Sequence, residues 1–331
     1  MTRKKVLCEV AFWKSFSECY PSSMPFPDEG AIENLKTWME LYSFMFRSDL
    51  YFDCSAQQFD SLTESDERLR YLWKKSTEGE CGLEFSEGVF DSDALNSNLQ
   101  AVLLSGNDRE NETKRLGMMN ITAGNYLNKG FLFRESGFPL QRNQEWGWSN
   151  LSKLVSKEMA NSLLIIDNYI LSTDGQFKQT NLDDNLFKIL NVLLPDSCDA
   201  PFDLSIFYVE GSRSNEERLR QYIKDIRPDL EVNLNIYQVA RSDFHDRTIV
   251  SNNYWIASPG GFDLMKGKWD RFQRANKYYA TKDTTVTVWF PSFCSGNVLT
   301  ADKTYENLIR GAKHALVIRG LSPDNRLLEE R

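Results

Sequence analysis

Short apolar runs rich in β-branched residues alternate with amphipathic helical patterns along most of this chain. That alternation restricts it to α/β architectures, in which helices cover a largely parallel sheet. In the first half "KVLCEVAFW" reads as a buried strand, and "DEGAIENLKTWMELYSFMF" as a helix presenting Ile32, Leu35, Trp38, Met39 and Tyr42 on one stripe. "SDLYFDCS" follows as a strand, "ESDERLRYLWKK" as a helix, and "LQAVLLSGND" as a buried strand closing in a Gly-Asn-Asp turn. The second half restarts with a helix over "LSKLVSKEMANS" and a strand Ser162–Ile166 that ends at Asp167. Then come the helix "NLDDNLFKILNVLLP", the strand "DLSIFYVEG", the helix "SNEERLRQYIKDIRP" and the strand "EVNLNIYQV". Beyond them lie a basic, aromatic stretch "KGKWDRFQRANKYY", the alternating strand "TTVTVWF", the helix "TYENLIRGAK" and a last strand "HALVIRG".

A chain of 331 residues exceeds the usual span of one domain. Periodicity is lost between Gly124 and Asn150, so two units are expected, over about residues 1–140 and 150–331. The net charge of −8 is unevenly shared: residues 1–150 hold 23 acids and 16 bases, residues 151–331 hold 24 and 23. An acidic first half does not suit passive binding to a phosphate backbone, so a nucleic-acid contact is expected in the second half or through a metal. Cys8, Cys19, Cys54, Cys81, Cys198 and Cys294 form no C-x-x-C pair, which argues against a zinc ribbon or a disulfide framework and for reduced core residues. There is no uninterrupted apolar run of the roughly 20 residues a membrane span needs. The basic start "MTRKKVLCEV" is interrupted by Glu9 and Lys14 and lacks a small-residue cleavage pattern, so a cytoplasmic location is expected.

The most informative stretch is "FHDRTIVSNNYWIASPGGFDLM", residues 244–265. Its run His245-x-Arg247-x4-Asn252, followed after seven residues by Gly260-Gly261-Phe262-Asp263, resembles the H-x-K-x4-D and G-G/S-x-N signature of the phospholipase D superfamily. Arg stands where the family has Lys, and Asn where it has Asp. The resemblance covers about residues 150–320 and is nearest to divergent F-H-D-R members. It implies a phospholipase D-like α/β domain needing no metal, with His245, Arg247 and Asn252 as catalytic positions. Gly260, Gly261 and Asp263 are the matching substrate-binding positions, and Asp167 at the end of its strand and Lys266, Lys268 and Arg271 in the basic stretch are expected to bind substrate with them.

In that chemistry a neutral imidazole attacks phosphorus, a cation steadies the equatorial oxygens, and a second histidine protonates the leaving oxygen. Family enzymes use two copies of the motif and this chain has one, so a homodimer or larger complex is implied. Arginine preserves phosphate binding through its bidentate fork, whereas an amide at position 252 carries no charge. The competing reading is a buried network of His245, Asp246 and Arg247 retained by the fold. The other histidine, His314, reads as structural. Lys266, Lys268, Arg271, Arg274 and Lys277 alternate with Trp269, Phe272, Tyr278 and Tyr279, which fits either stacking and backbone contacts to nucleic acid or an amphipathic helix with its aromatics in the core.

The first half, over about residues 4–140, resembles PIN-like nucleases. Glu9, Glu40, Asp91 or Asp93, and Asp108 stand at the acidic positions, which implies Mg²⁺ or Mn²⁺ for phosphodiester cleavage; an α/β layer with solvated acids is the alternative. Together the resemblances imply a nucleic-acid-directed effector or accessory subunit of a bacterial antiphage system, acting as a phosphodiesterase. The alternative is a non-catalytic module that binds a protein partner or anionic lipid.

Overall fold

The computed structural model describes residues 5–20, 29–88, 101–106, 113, 117–133, 135–172, 182–211, 213–240, 247–269, 275–290 and 298–329. The chain is α/β and divides into two units, one running to Arg134 and the other beginning at Glu135.

The first unit is built on five parallel strands: β1 (Lys5–Glu9), β2 (Asp49–Asp53), β3 (Gly82–Phe85), β4 (Ala101–Leu104) and β5 (Met119–Thr122). Their order is β3-β2-β1-β4-β5, so the winding reverses between β1 and β4. In such sheets the strand ends beside the reversal open a crevice for ligands. Residues Val6–Cys8 and Ala101–Leu104 are wholly buried, as strands covered on both faces must be. The strand expected over "KVLCEVAFW" stops at Glu9, and helix α1 (Val10–Glu18) takes the rest. Helical spacing puts Phe12, Trp13 and Phe16 on one buried face, which an extended chain would split between two. Helix α2 (Glu29–Phe46) is rotated from the expected stripe: Trp38, Leu41 and Met45 are buried, whereas Ile32 and Met39 are exposed. Trp38 sets the rotation by stacking on Phe16 with centroids 4.6 Å apart and donating its indole N–H to the Phe16 carbonyl at 2.8 Å. Two helices, α3 (Ala56–Ser65) and α4 (Glu67–Thr77), lie between β2 and β3, each with its own side-chain N-cap, Ser55 and Asp66.

The second unit carries β6 (Ser136–Leu140), β7 (Ser162–Ile166), β8 (Phe202–Tyr208), β9 (Val232–Gln238), β10 (Thr248–Ser251), β11 (Trp255–Ala257) and β14 (Thr284–Trp289), in the order β6-β14-β11-β10-β7-β8-β9. β7, β8 and β9 are parallel, and every other pairing in this sheet is antiparallel. A separate ribbon is formed by β12 (Met265–Trp269) and β13 (Ala275–Ala280). A π-helical turn (Leu182–Leu186) running into α5 (Phe187–Leu193) connects β7 to β8, and α6 (Arg213–Ile226) connects β8 to β9. Helix α7 (Val298–Ile318) lays Leu308, Ala312, Ala315 and Leu316 on the sheet face formed by Leu164, Ile166, Phe207 and Val250.

The junction between Arg134 and Glu135 falls within the expected stretch, residues 124–150, and β6 joins the second unit by pairing with β14. Three expectations for this half are corrected. The helix expected from residue 151 is replaced by two 3-10 turns, Trp148–Lys153 and Lys157–Met159. "KGKWDRFQRANKYY" contributes strands of a ribbon rather than a helix. The last strand is absent, because α7 continues through "HALVI" and leaves His314 exposed. Of the cysteines, Cys8, Cys54 and Cys81 are buried free thiols, Cys19 is exposed, Cys198 is intermediate, and Cys294 lies outside the described residues. Among the described residues no helix is long and apolar enough to cross a membrane.

The helix assignment separates Leu316, fully buried, from His314 two residues away. Leu316→Ala should cost about 2–5 kcal/mol in urea unfolding, and His314→Ala less than about 0.5 kcal/mol. Equal losses would favour a strand, in which the two residues share a face.

Candidate functional site

The pairing of β7 with β10 places the central side chains. Thr248 lies opposite Ile166 in the antiparallel register, so the next step beyond the strands sets Arg247 opposite Asp167. The ladder continues past both strand ends, with the Asp167 amide donating to the Phe207 carbonyl at 3.1 Å and the Ser258 amide to the Arg247 carbonyl at 3.1 Å. Both side chains point to the face opposite α7, because Ile166 and Val250 occupy the α7 face and strand neighbours alternate.

The loop after β11 closes over this pair. Gly261 has φ +89°, and a Cβ there would stand 2.7 Å from Asp263 Oδ1, 3.1 Å from Asp167 Oδ2 and 3.1 Å from Arg247 Cδ. Glycine is thus required for both backbone conformation and space. Asp167, 1% exposed, accepts from the Phe262 amide at 2.6 Å and the Tyr169 amide at 2.8 Å. Burial pushes its carboxyl up from the ordinary value; those two amides pull it down, the charge of Asp263 adds to the rise, and that of Arg247 opposes it. Asp263 is paired with Lys282 at 2.9 Å, and Lys282 also donates to the Gly260 carbonyl at 3.0 Å.

Arg247 is left with donors to spare. Among the described residues its Nη1 donates to the Pro259 carbonyl at 3.2 Å, and its guanidinium lies 5.8 Å from the Tyr169 ring centre. Among the described residues it has no ion-pair partner within 4.0 Å, and its buried Nε–H has no hydrogen-bond partner. A guanidinium held in place with unused N–H groups is a ready receptor for a planar or tetrahedral oxyanion.

Side chains from the start of the β7–β8 crossover hold the ribbon to this site. The Asn185 carbonyl accepts from Trp148 Nε1 at 3.0 Å and the Met265 amide at 2.8 Å, and its amide group donates back to the Met265 carbonyl at 3.0 Å. Asp184 accepts from the Gly267 amide at 3.1 Å, and its second oxygen is buried without a hydrogen bond. Burial raises the Asp184 carboxyl, opposed by the Gly267 amide. Asn185, Asp184 and Lys282 were not among the expected site residues. The only signal in the sequence is the polar run Asp183-Asp184-Asn185 between the apolar residues Leu182 and Leu186.

The remaining expected residues divide as follows. Asn252 is separated from the site: it follows β10 whereas Arg247 precedes it, about 16 Å away at ~3.3 Å per residue. There Asn252, buried, accepts from the Asn161 amide at 3.2 Å and pins the start of β7. The structure therefore gives Asn252 a place in the framework and not beside Arg247. Lys266 and Lys268 are exposed on β12, while His245 and Arg271 lie outside the described residues.

In the first unit Glu9 ends β1 rather than sitting within it, and Asp53 is its partner in the β1–β2 register. Glu9 Oε2 accepts the Ser105 amide and hydroxyl, both at 2.6 Å, and Asp53 Oδ1 accepts the Gly88 amide at 2.9 Å. Glu40, on α2, has one buried carboxylate oxygen without a hydrogen bond. Asp91, Asp93 and Asp108 lie outside the described residues, and the described ones contain no group of three His, Cys, Asp or Glu that could hold a metal. Compared with known proteins, the chain matches no family model and no curated protein.

Because folding raises the Asp167 pKa, the stability this group contributes is full below its unfolded value near 3.8 and is lost as pH rises through the folded value. The unfolding free energy of wild type minus that of Asp167→Asn should therefore fall as pH rises above the unfolded value near 3.8. A difference independent of pH would show that the carboxylate is not destabilised by burial.

Proposed function

We propose that the second unit recognises a phosphodiester at the edge of its mixed sheet and that the chain is a nucleic-acid-directed effector or accessory subunit, of the kind found in bacterial antiphage systems. The observation that carries this reading is Arg247, fixed opposite Asp167 yet without an ion-pair partner among the described residues. Asp167 spends its oxygens on backbone amides and Asp263 is matched by Lys282, so neither acid occupies the guanidinium. The resemblance to the phospholipase D superfamily supports the same reading, with His245 two residues before Arg247.

In the catalytic form of this function the His245 imidazole attacks phosphorus and the bond to the leaving oxygen breaks. Arg247 steadies the equatorial oxygens, and water then releases the phosphoryl group from the histidine. Protonating the leaving oxygen needs a second histidine. The chain has only two, and His314 is exposed on α7, which covers the other face of the sheet. The acid therefore comes from a second chain, and activity requires a homodimer. The same observation favours a second reading, in which the single chain binds its target without cleaving it.

The test is incubation of purified protein with labelled single-stranded DNA and RNA in the presence of chelator. Cleavage lost in His245→Ala supports the phosphodiesterase. Binding without cleavage, weakened about 10- to 100-fold in Arg247→Ala as charge-assisted bonds are lost, supports the accessory subunit. Binding unchanged by Arg247→Ala refutes phosphate recognition at this site.

A further inference from the structure

The ribbon leaves directly from the Arg247 site. Its first strand starts two residues after Asp263, and its second ends two residues before Lys282, the partner of Asp263. The register pairs Lys266 with Tyr279 and Lys268 with Lys277. Cross-strand partners share a face, as do residues two apart, so these four side chains make one face of the ribbon. The other face holds Met265, Gly267 and Tyr278. Asn185 and Asp184 bind the backbone of Met265 and Gly267, and Lys188 Nζ lies 5.8 Å from the Tyr278 ring centre. The clamped inner face turns the lysines outward: Lys266, Lys268 and Lys277 are exposed and Tyr279 is half-buried.

We infer that this face is the track for an unpaired nucleic-acid strand whose phosphodiester reaches Arg247. The inference rests on the phosphodiester reading of that site. Lys266 and Lys268 are about 6.6 Å apart along the strand, a spacing that lets each meet a different phosphate of an extended chain. Tyr279, set beside them, offers a ring to a base that is not already stacked in a duplex, which selects a single strand. The vesicle arm of the test below separates a lipid surface from a nucleic-acid strand.

Among the described residues two acids act against the track: Asp184, whose carboxyl feels the charge of Lys266, and Glu145. Glu145 bridges to Tyr279 along the outer edge of β13 and pairs with Lys277 at 2.8 Å, with both side chains about half exposed. It sits on the lysine face and competes with a phosphate for Lys277.

Fluorescence anisotropy with the full chain tests the inference, using labelled oligo(dT), its duplex with oligo(dA), and phosphatidylcholine–phosphatidylserine vesicles. Thermal melting checks that each variant is folded. The Lys266→Gln/Lys268→Gln double variant should bind oligo(dT) about tenfold more weakly and lower its salt slope by about 1.4, the loss of two single-strand phosphate contacts. Glu145→Gln should tighten binding and steepen the slope. Arg247→Ala reads out the site itself. If that variant loses binding while the double variant keeps wild-type affinity and slope, the track is refuted and the phosphodiester site stands. If only the double variant loses binding, the track stands and the reading of Arg247 fails. Stronger binding to duplex or to vesicles than to oligo(dT) overturns the single-strand assignment.

Discussion

The arrangement of the second unit depends on a carboxylate that is expensive to bury. Asp167 ends the central strand β7, and its oxygens accept the amides of Tyr169 and Phe262. Through Phe262 it fixes the Gly260–Asp263 loop, which in turn fixes the start of the ribbon. Arg247 lies opposite on the antiparallel neighbour β10, near enough to oppose the rise in the Asp167 pKa but outside ion-pairing distance. Had the acid been free to pair with the arginine, the guanidinium would be spent. Backbone amides satisfy the acid instead, and the cation is left for something else. Gly261 makes this separation possible, since a side chain there would collide with Asp263 and crowd both Asp167 and Arg247.

The two units put acids at sheet edges in different ways. In the first, the parallel sheet reverses its winding between β1 and β4, and Glu9 and Asp53 stand side by side at the strand ends. Each is already bonded to a neighbouring loop, at Ser105 and Gly88. In the second, the change from parallel to antiparallel pairing at β7 brings the end of one strand against the beginning of another. Residues of opposite charge from distant parts of the chain meet there, and a four-charge cluster results, in which Asp263 pairs with Lys282 while Asp167 is held by backbone amides.

The strands buried on both faces were legible because their apolar runs leave no other reading. Ser162–Ile166, ending at Asp167, is the clearest case. Runs that suit two periods misled: "HALVI" is apolar enough for a strand, yet Ala312, Ala315 and Leu316 bury as one side of a helix. The ribbon was hidden for the same reason, since alternating lysines and aromatics suit a helix face and a strand face alike. Arg247, Gly261 and Asp263 were singled out by the motif resemblance, and the structure sets them beside one another. Asn185 was not singled out, because its partner Met265 is 80 residues away, and no local pattern encodes such a contact. Asn252 misled in the opposite sense: motif spacing grouped it with Arg247, but a four-residue strand carries the two to opposite ends.

The central claim is that the guanidinium of Arg247 is a vacant oxyanion receptor. The most direct measurement follows the arginine Nε–H resonances of ¹⁵N-labelled protein during titration with a dithymidine phosphodiester. The resonance assigned to Arg247 by its disappearance in Arg247→Lys should shift progressively and saturate, since its Nε–H has no hydrogen-bond partner among the described residues. If that resonance stays fixed while the dinucleotide binds elsewhere, or if nothing binds, the account of this site is wrong.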